Sequence, residues 1–108
     1  MIDWDRVRTL KEEVGAEDFD EVLELFFTEV DEAMVRLPAA RDAASLSAEM
    51  HFLKGAALNL GFEVLSQRCH DGETQATQGR IGQIDVAEIV RVYALSRQQF
   101  MADLPART

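Results

Sequence analysis

The chain has 108 residues, of which 47% are apolar, a formal net charge of −9 and a single cysteine, Cys69. One domain over residues 1–108 suits that length. The acidic balance excludes the clustered Lys and Arg that nucleic-acid phosphates or an anionic membrane surface require, and one thiol excludes an internal disulfide.

The first residues, MIDWDRVRTLKEEV, lack the apolar core of a signal peptide, and no run reaches the roughly 18 apolar residues of a membrane span. A cytoplasmic protein with no membrane or nucleic-acid partner is expected. The only prolines are Pro38 and Pro105, and β-branched residues never alternate over a long run, so the chain reads as helical throughout. A first short helix is predicted from Asp3 to about Val14, capped by Asp3 and stopped by Gly15. Asp18-Phe19-Asp20-Glu21 has the form of a capping box. The helix after it carries Phe19, Val22, Phe26, Phe27, Val30, Ala33, Met34 and Leu37 on one face, and Pro38 ends or restarts it. Its Asp18, Asp20, Glu21, Glu24, Glu29, Asp31 and Glu32 read as a solvated face.

A third helix is predicted to start near Asp42 or Ser45 and to reach Leu60, with Gly61 left-handed after it. Phe62, Leu65, Cys69, Gly72 and Ala76 form the next apolar stripe, and Gly79 and Gly82 bracket the following break. Cys69 on that stripe reads as a buried small hydrophobe. Asp85-Val86-Ala87-Glu88 again resembles a capping box. The last helix turns Val86, Ile89, Val90, Tyr93, Phe100 and Leu104 inward, and Pro105 is expected to stop it. The expected fold is all-α, an up-down-up-down four-helix bundle with the short N-terminal helix as a lid, touching it through Trp4, Val7 and Leu10. One bundle uses up the inward faces, so a monomer is expected.

The third helix carries the chemistry. At about 100° per residue, Leu46, Leu53 and Leu60 define its buried seam, flanked by Ala56 and Ala57. His51, Lys54, Gly55 and Leu58 cluster on the opposite side. Glycine inside a helix costs about 1 kcal/mol relative to alanine. On an outer face beside an imidazole, Gly55 gives a bulky partner room to approach. Gly61-Phe62 turns the chain back, so His70 and Glu73 fall at the height of His51 and Lys54 on the next helix. Gly72 beside them lets the two helices come close. A carboxylate that takes a hydrogen bond from one ring nitrogen leaves the other as a nucleophilic lone pair. An ammonium nearby favours an anion on that nitrogen. The set suits a histidine that accepts a phosphoryl group and does not suit hydrolysis.

His51-Phe52-Leu53-Lys54-Gly55-Ala56-Ala57-Leu58-Asn59-Leu60-Gly61 resembles the signature of histidine-containing phosphotransfer (HPt) domains. Ala56 and Ala57 stand where many relatives have serines. The hairpin set is similar to the active site of the amino-terminal phosphotransfer domain of chemotaxis histidine kinases. The resemblance implies that His51 is the phosphoacceptor, that Glu73 hydrogen-bonds its far nitrogen, and that Lys54 and His70 tune the site. It further implies a carrier rather than an autonomous enzyme, with Gly55 and Leu58 in the docking surface. The implied partners are a sensor histidine kinase and response-regulator receiver domains. No cofactor or metal of its own is implied; Mg²⁺ belongs to the partner. No dimerisation or ATP-binding domain follows before Thr108, so either a free-standing protein or a fragment of a larger kinase is expected. An adaptor that docks receivers without taking phosphate is the alternative in which His51 would be dispensable. A metal bundle is disfavoured because His70-Asp71-Gly72-Glu73 reverses the Glu-x-x-His order and occurs once.

Overall fold

A computed structural model describes residues 1–107. Five α-helices follow in order: α1 (Trp4–Val14), α2 (Phe19–Arg36), α3 (Ala43–Leu60), α4 (Glu63–Thr77) and α5 (Val86–Arg107). Single 3₁₀ turns at Leu37–Ala39 and Ile81–Gln83 join α2 to α3 and α4 to α5. Antiparallel pairing follows from which residues meet. Glu73 of α4 reaches back to His51 and Lys54 of α3, while Asp31 of α2 meets Tyr93 and Arg97 of α5. Helices α2 to α5 therefore form the expected up-down-up-down bundle, and α1 buries Trp4, Val7 and Leu10 against it. Trp4 stacks on Phe100 with ring centroids 5.4 Å apart, and Phe27, Phe62 and Phe100 meet beneath it. Among the described residues, no helix is long and apolar enough to cross a membrane.

Three of the five helices, α1, α3 and α5, start at the acidic caps read from the sequence. The Asp3 carboxylate accepts from the Arg6 amide at 3.1 Å, Asp42 from the Ser45 amide at 2.8 Å, and Asp85 from the Glu88 amide at 3.0 Å. The Ser45 amide also holds the Asp42 carboxyl below its ordinary pKa. Asp18 makes no such bond, so the capping box predicted there does not form. Its backbone is already near-helical (φ −98°, ψ −6°), whereas a capping side chain folds back onto the first turn from an extended residue.

The buried arcs differ in detail from the apolar stripes. On α2, Leu23 is buried while Val22 and Phe26 are only half-buried. On α5, Val92 and Ser96 are buried while Val86, Val90 and Leu104 are half-buried. On both helices the covered arc is shifted around the axis from the predicted stripe, because the neighbouring helices decide which side is covered. Asp31 is not simply a solvated carboxylate. It accepts from the Tyr93 hydroxyl at 2.7 Å and from Arg97 Nη1 at 2.9 and 2.8 Å, clasping α2 to α5. Burial, reinforced by Asp31, raises the Tyr93 hydroxyl pKa well above its usual value. Pro105 lies inside α5 and does not stop it. The amide it lacks would have bonded the carbonyl of Met101, an exposed residue, where water can serve instead.

Gly61 ties the lid to the hairpin. Its φ of 76° is left-handed, its amide donates to the Ala57 and Leu58 carbonyls, and its carbonyl accepts from the Asp3 amide at 2.7 Å. The Glu63 amide donates to the Met1 carbonyl at 3.0 Å, completing a short antiparallel bridge. A Cβ at Gly61 would lie 2.5 Å from the Asp3 carbonyl oxygen, a backbone atom. Gly61→Ala is therefore expected to lose about 2 kcal/mol or more from combined backbone strain and clash. Thermal melting would show this as a fall of roughly 10 °C. A variant that melts with the wild type would mean that the bridge yields without cost.

Candidate functional site

The outer face of α3 is built as the helix wheel requires. Leu46, Met50, Leu53, Ala56, Ala57 and Leu60 are buried, which turns His51, Gly55 and Leu58 to solvent. The side chain of His51 is 72% exposed. Across the hairpin, Leu65, Cys69, Gly72 and Ala76 seat α4 on the core and aim Glu73 along the seam between the two helices. Glu73 keeps only 20% of its side-chain surface exposed, and Lys54 is similarly half-buried.

Three of the predicted residues form one hydrogen-bonded unit. His51 Nδ1 lies 2.8 Å from Glu73 Oε2, and Lys54 Nζ lies 2.6 Å from Glu73 Oε1. Each carboxylate oxygen thus serves one partner. The Lys54 hydrogen bond is the main cause of a lowered Glu73 pKa; partial burial opposes it and the His51 bond adds to it. Glu73 therefore remains an acceptor. Taking the Nδ1 proton as the donor, the arrangement selects one imidazole tautomer and leaves Nε2 with its lone pair and no partner among the described residues. Such a nitrogen, on a ring this exposed, can attack an electrophile presented from outside the protein.

His70 does not join the unit. It is exposed, one turn before Glu73, and makes no hydrogen bond or ion pair among the described residues. Gly55 is exposed, and a Cβ there would meet no atom within 4 Å. Its missing side chain is thus not required by packing within the bundle. Leu58 is exposed on the same face, as is much of Phe52. The exposure of Phe52 escaped the sequence pattern, because it sits at the edge of the wheel's polar arc where only the neighbouring helix decides burial. Asn59 Oδ1 accepts from Arg6 Nη2 at 3.3 Å, joining α1 to the margin of this face. Cys69 is fully buried and its thiol is pushed up to about 12, which keeps it protonated and unreactive. Among the described residues, no cluster of three or more His, Cys, Asp or Glu side chains could hold a metal ion.

A family model for the Hpt domain matches residues 21–104, from the first turn of α2 almost to the end of α5. The chain belongs to the Hpt domain family. Members of this family are phosphotransfer carriers in phosphorelays, where they work with kinases and response regulators. The matched span contains the whole His51–Glu73–Lys54 unit, while α1 precedes it. Searches of curated proteins and of solved structures found no match. The role of this Hpt domain in a phosphorelay thus rests on the family, and the geometry above gives it a candidate reacting atom.

Proposed function

We propose that His51 of this Hpt domain carries the phosphoryl group, with Nε2 as the attacking atom. The hydrogen bond from Nδ1 to Glu73 at 2.8 Å carries this reading. In the forward step the Nε2 lone pair forms the N–P bond while the bond from phosphorus to the donor oxygen breaks. That oxygen leaves either as a receiver aspartate carboxylate or as ADP in a kinase. The Nδ1 proton stays in place, so the imidazole becomes cationic as it is phosphorylated. The Glu73 carboxylate is already in place beside the ring before the step begins, so it stabilises that charge as it forms. Onward transfer to a receiver aspartate reverses the bond changes and returns the lone pair to Nε2.

Lys54 holds the second Glu73 oxygen and places a positive charge near the incoming phosphoryl group. His70 stands outside the hydrogen-bonded unit, available to a partner. Mg²⁺ and the remaining catalytic groups come from the kinase or receiver, because phosphoryl transfer chiefly needs positioning and charge neutralisation. The domain itself acts as a monomeric carrier with no cofactor of its own, in the cytoplasm where such partners work. Leu58 and Phe52 give the partner apolar surface around a polar centre, as transient interfaces do.

Gly55 gives the partner clearance. Gly55→Arg should therefore slow transfer about tenfold or more, since a displacement of about 1 Å at the reacting centre can cost up to 100-fold. Its melting temperature should hold or rise, because arginine is the better helix former by roughly 0.8 kcal/mol and no atom obstructs its Cβ. Unchanged transfer would remove the clearance role. The function itself is tested by incubating the protein with a labelled panel of phosphorylated kinases and receiver domains. Acid-labile, base-stable label on this chain supports the carrier, and the fastest donor identifies its partner. Binding of receivers with no label from any donor would instead favour an adaptor.

A further inference from the structure

Gly72 and Met50 sit one residue before Glu73 and His51, so they face each other at the height of the proposed reacting unit. Met50 is fully buried. A Cβ on Gly72 would lie 2.9 Å from Met50 Sδ, 3.2 Å from Cε and 3.4 Å from Cγ. Sδ and Cε would be met more tightly than in ordinary contact, while Cγ would stay at its edge; these are the outer atoms of a flexible side chain, but one enclosed in the core on all sides. Ordinary carbon contacts lie at about 3.5 to 4 Å, so with Met50 enclosed, relief by parting the helices amounts to roughly 0.6 to 1 Å at this level. The bond from His51 to Glu73 has no such margin. Starting at 2.8 Å, an opening of that size carries it past the roughly 3.2 Å limit of a sound N–H···O bond. Lys54 has a flexible four-carbon stem and can follow Glu73; the short imidazole cannot.

We infer that Gly72 is a positioning residue: by lacking a side chain against Met50, it holds α3 and α4 close enough for one Glu73 carboxylate to orient His51. The inference rests on the proposed role of His51 but concerns a property of the unphosphorylated protein. The contrast with Gly55 sharpens it. Gly55 faces open space, whereas Gly72 is buried against another helix.

The test is Gly72→Ala, alone and combined with Met50→Ala, which removes the atoms the new methyl would crowd. Nitrogen NMR of the His51 ring reports which nitrogen carries the proton in the resting protein. Wild type should show predominantly Nδ1–H. Gly72→Ala should move the ring toward the tautomer mixture of a free histidine and slow phosphorylation about tenfold to 100-fold. Met50→Ala/Gly72→Ala should recover the wild-type nitrogen signature. A folded Gly72→Ala variant with the wild-type signature and rate would overturn the positioning role. If Gly72→Ala does not fold, the double variant decides: a wild-type signature upholds the role, and a folded protein without it refutes the role. Absence of label on wild type would sink the phosphoacceptor assignment alone, because the ring signature is read without phosphate.

Discussion

His51→Gln is expected to eliminate phosphoryl label while leaving the melting temperature almost unchanged. The two halves of this result come from different observations. Loss of label follows because glutamine has no nucleophilic ring nitrogen, and the proposed mechanism has no second acceptor within the unit. Retained stability follows because the side chain is 72% exposed and makes one polar contact, to Glu73. Glutamine can still donate an amide hydrogen there, and surface substitutions away from special features usually change stability by about 0.5 kcal/mol or less. His70→Gln is the natural comparator, because His51 and His70 are the only histidines of the chain. It should retain label. If label instead persisted in His51→Gln and vanished in His70→Gln, the exchange would occur at His70, and the bond to Glu73 would be structural. If His51→Gln unfolded the protein, the outward placement of the ring would be wrong.

The largest stability effect is expected away from this site, in the ring cluster beneath α1. Phe100 is fully buried and its ring touches three others: Trp4 at 5.4 Å, Phe62 at 5.5 Å and Phe27 at 5.8 Å between centroids. These rings come from α1, the turn before α4, and α2, so one side chain on α5 unites four parts of the chain. Phe100→Ala leaves a void that the surrounding rings can fill only by separating from their own partners. Such truncations cost about 3 to 5 kcal/mol, against roughly 5 to 15 kcal/mol for a whole domain. The melting temperature should fall by about 15 °C or more. Trp4 is the one tryptophan, so its fluorescence should report loosening of α1 directly. A Phe100→Ala protein that melts within a few degrees of wild type would show that the ring cluster is not what closes this end of the bundle.

Where the sequence was legible, a local rule with few alternatives applied. Gly61 had to be left-handed at a helix end, and the chain indeed turns there with φ 76°. The seven-residue spacing of Leu46, Leu53 and Leu60 left His51 only the outer face, where it stands. Where it misled, a neighbouring element decided the outcome. Asp18 has the right side chain for a cap but a backbone already wound into the preceding turn. Pro105 carries a helix-breaking ring at an exposed final turn where breaking is unnecessary. Asp31 belongs to an acidic face by composition, yet Tyr93 and Arg97 recruit it from more than sixty residues away.

The order of the helices, the buried seams of α3 and α4, the outward imidazole and the level at which Glu73 meets it were determined by the sequence alone. These depend on periodicity and turn chemistry, which act over a few neighbouring residues. The tertiary structure decided that Glu73 gives one oxygen to His51 and the other to Lys54, and that His70 is left out. It also decided that Gly72 meets Met50 closely while Gly55 meets nothing. Helical spacing specifies the angle and height of a side chain, but a hydrogen bond requires a distance correct to a few tenths of an ångström. That distance is set by how closely two helices pack, which depends on every side chain between them.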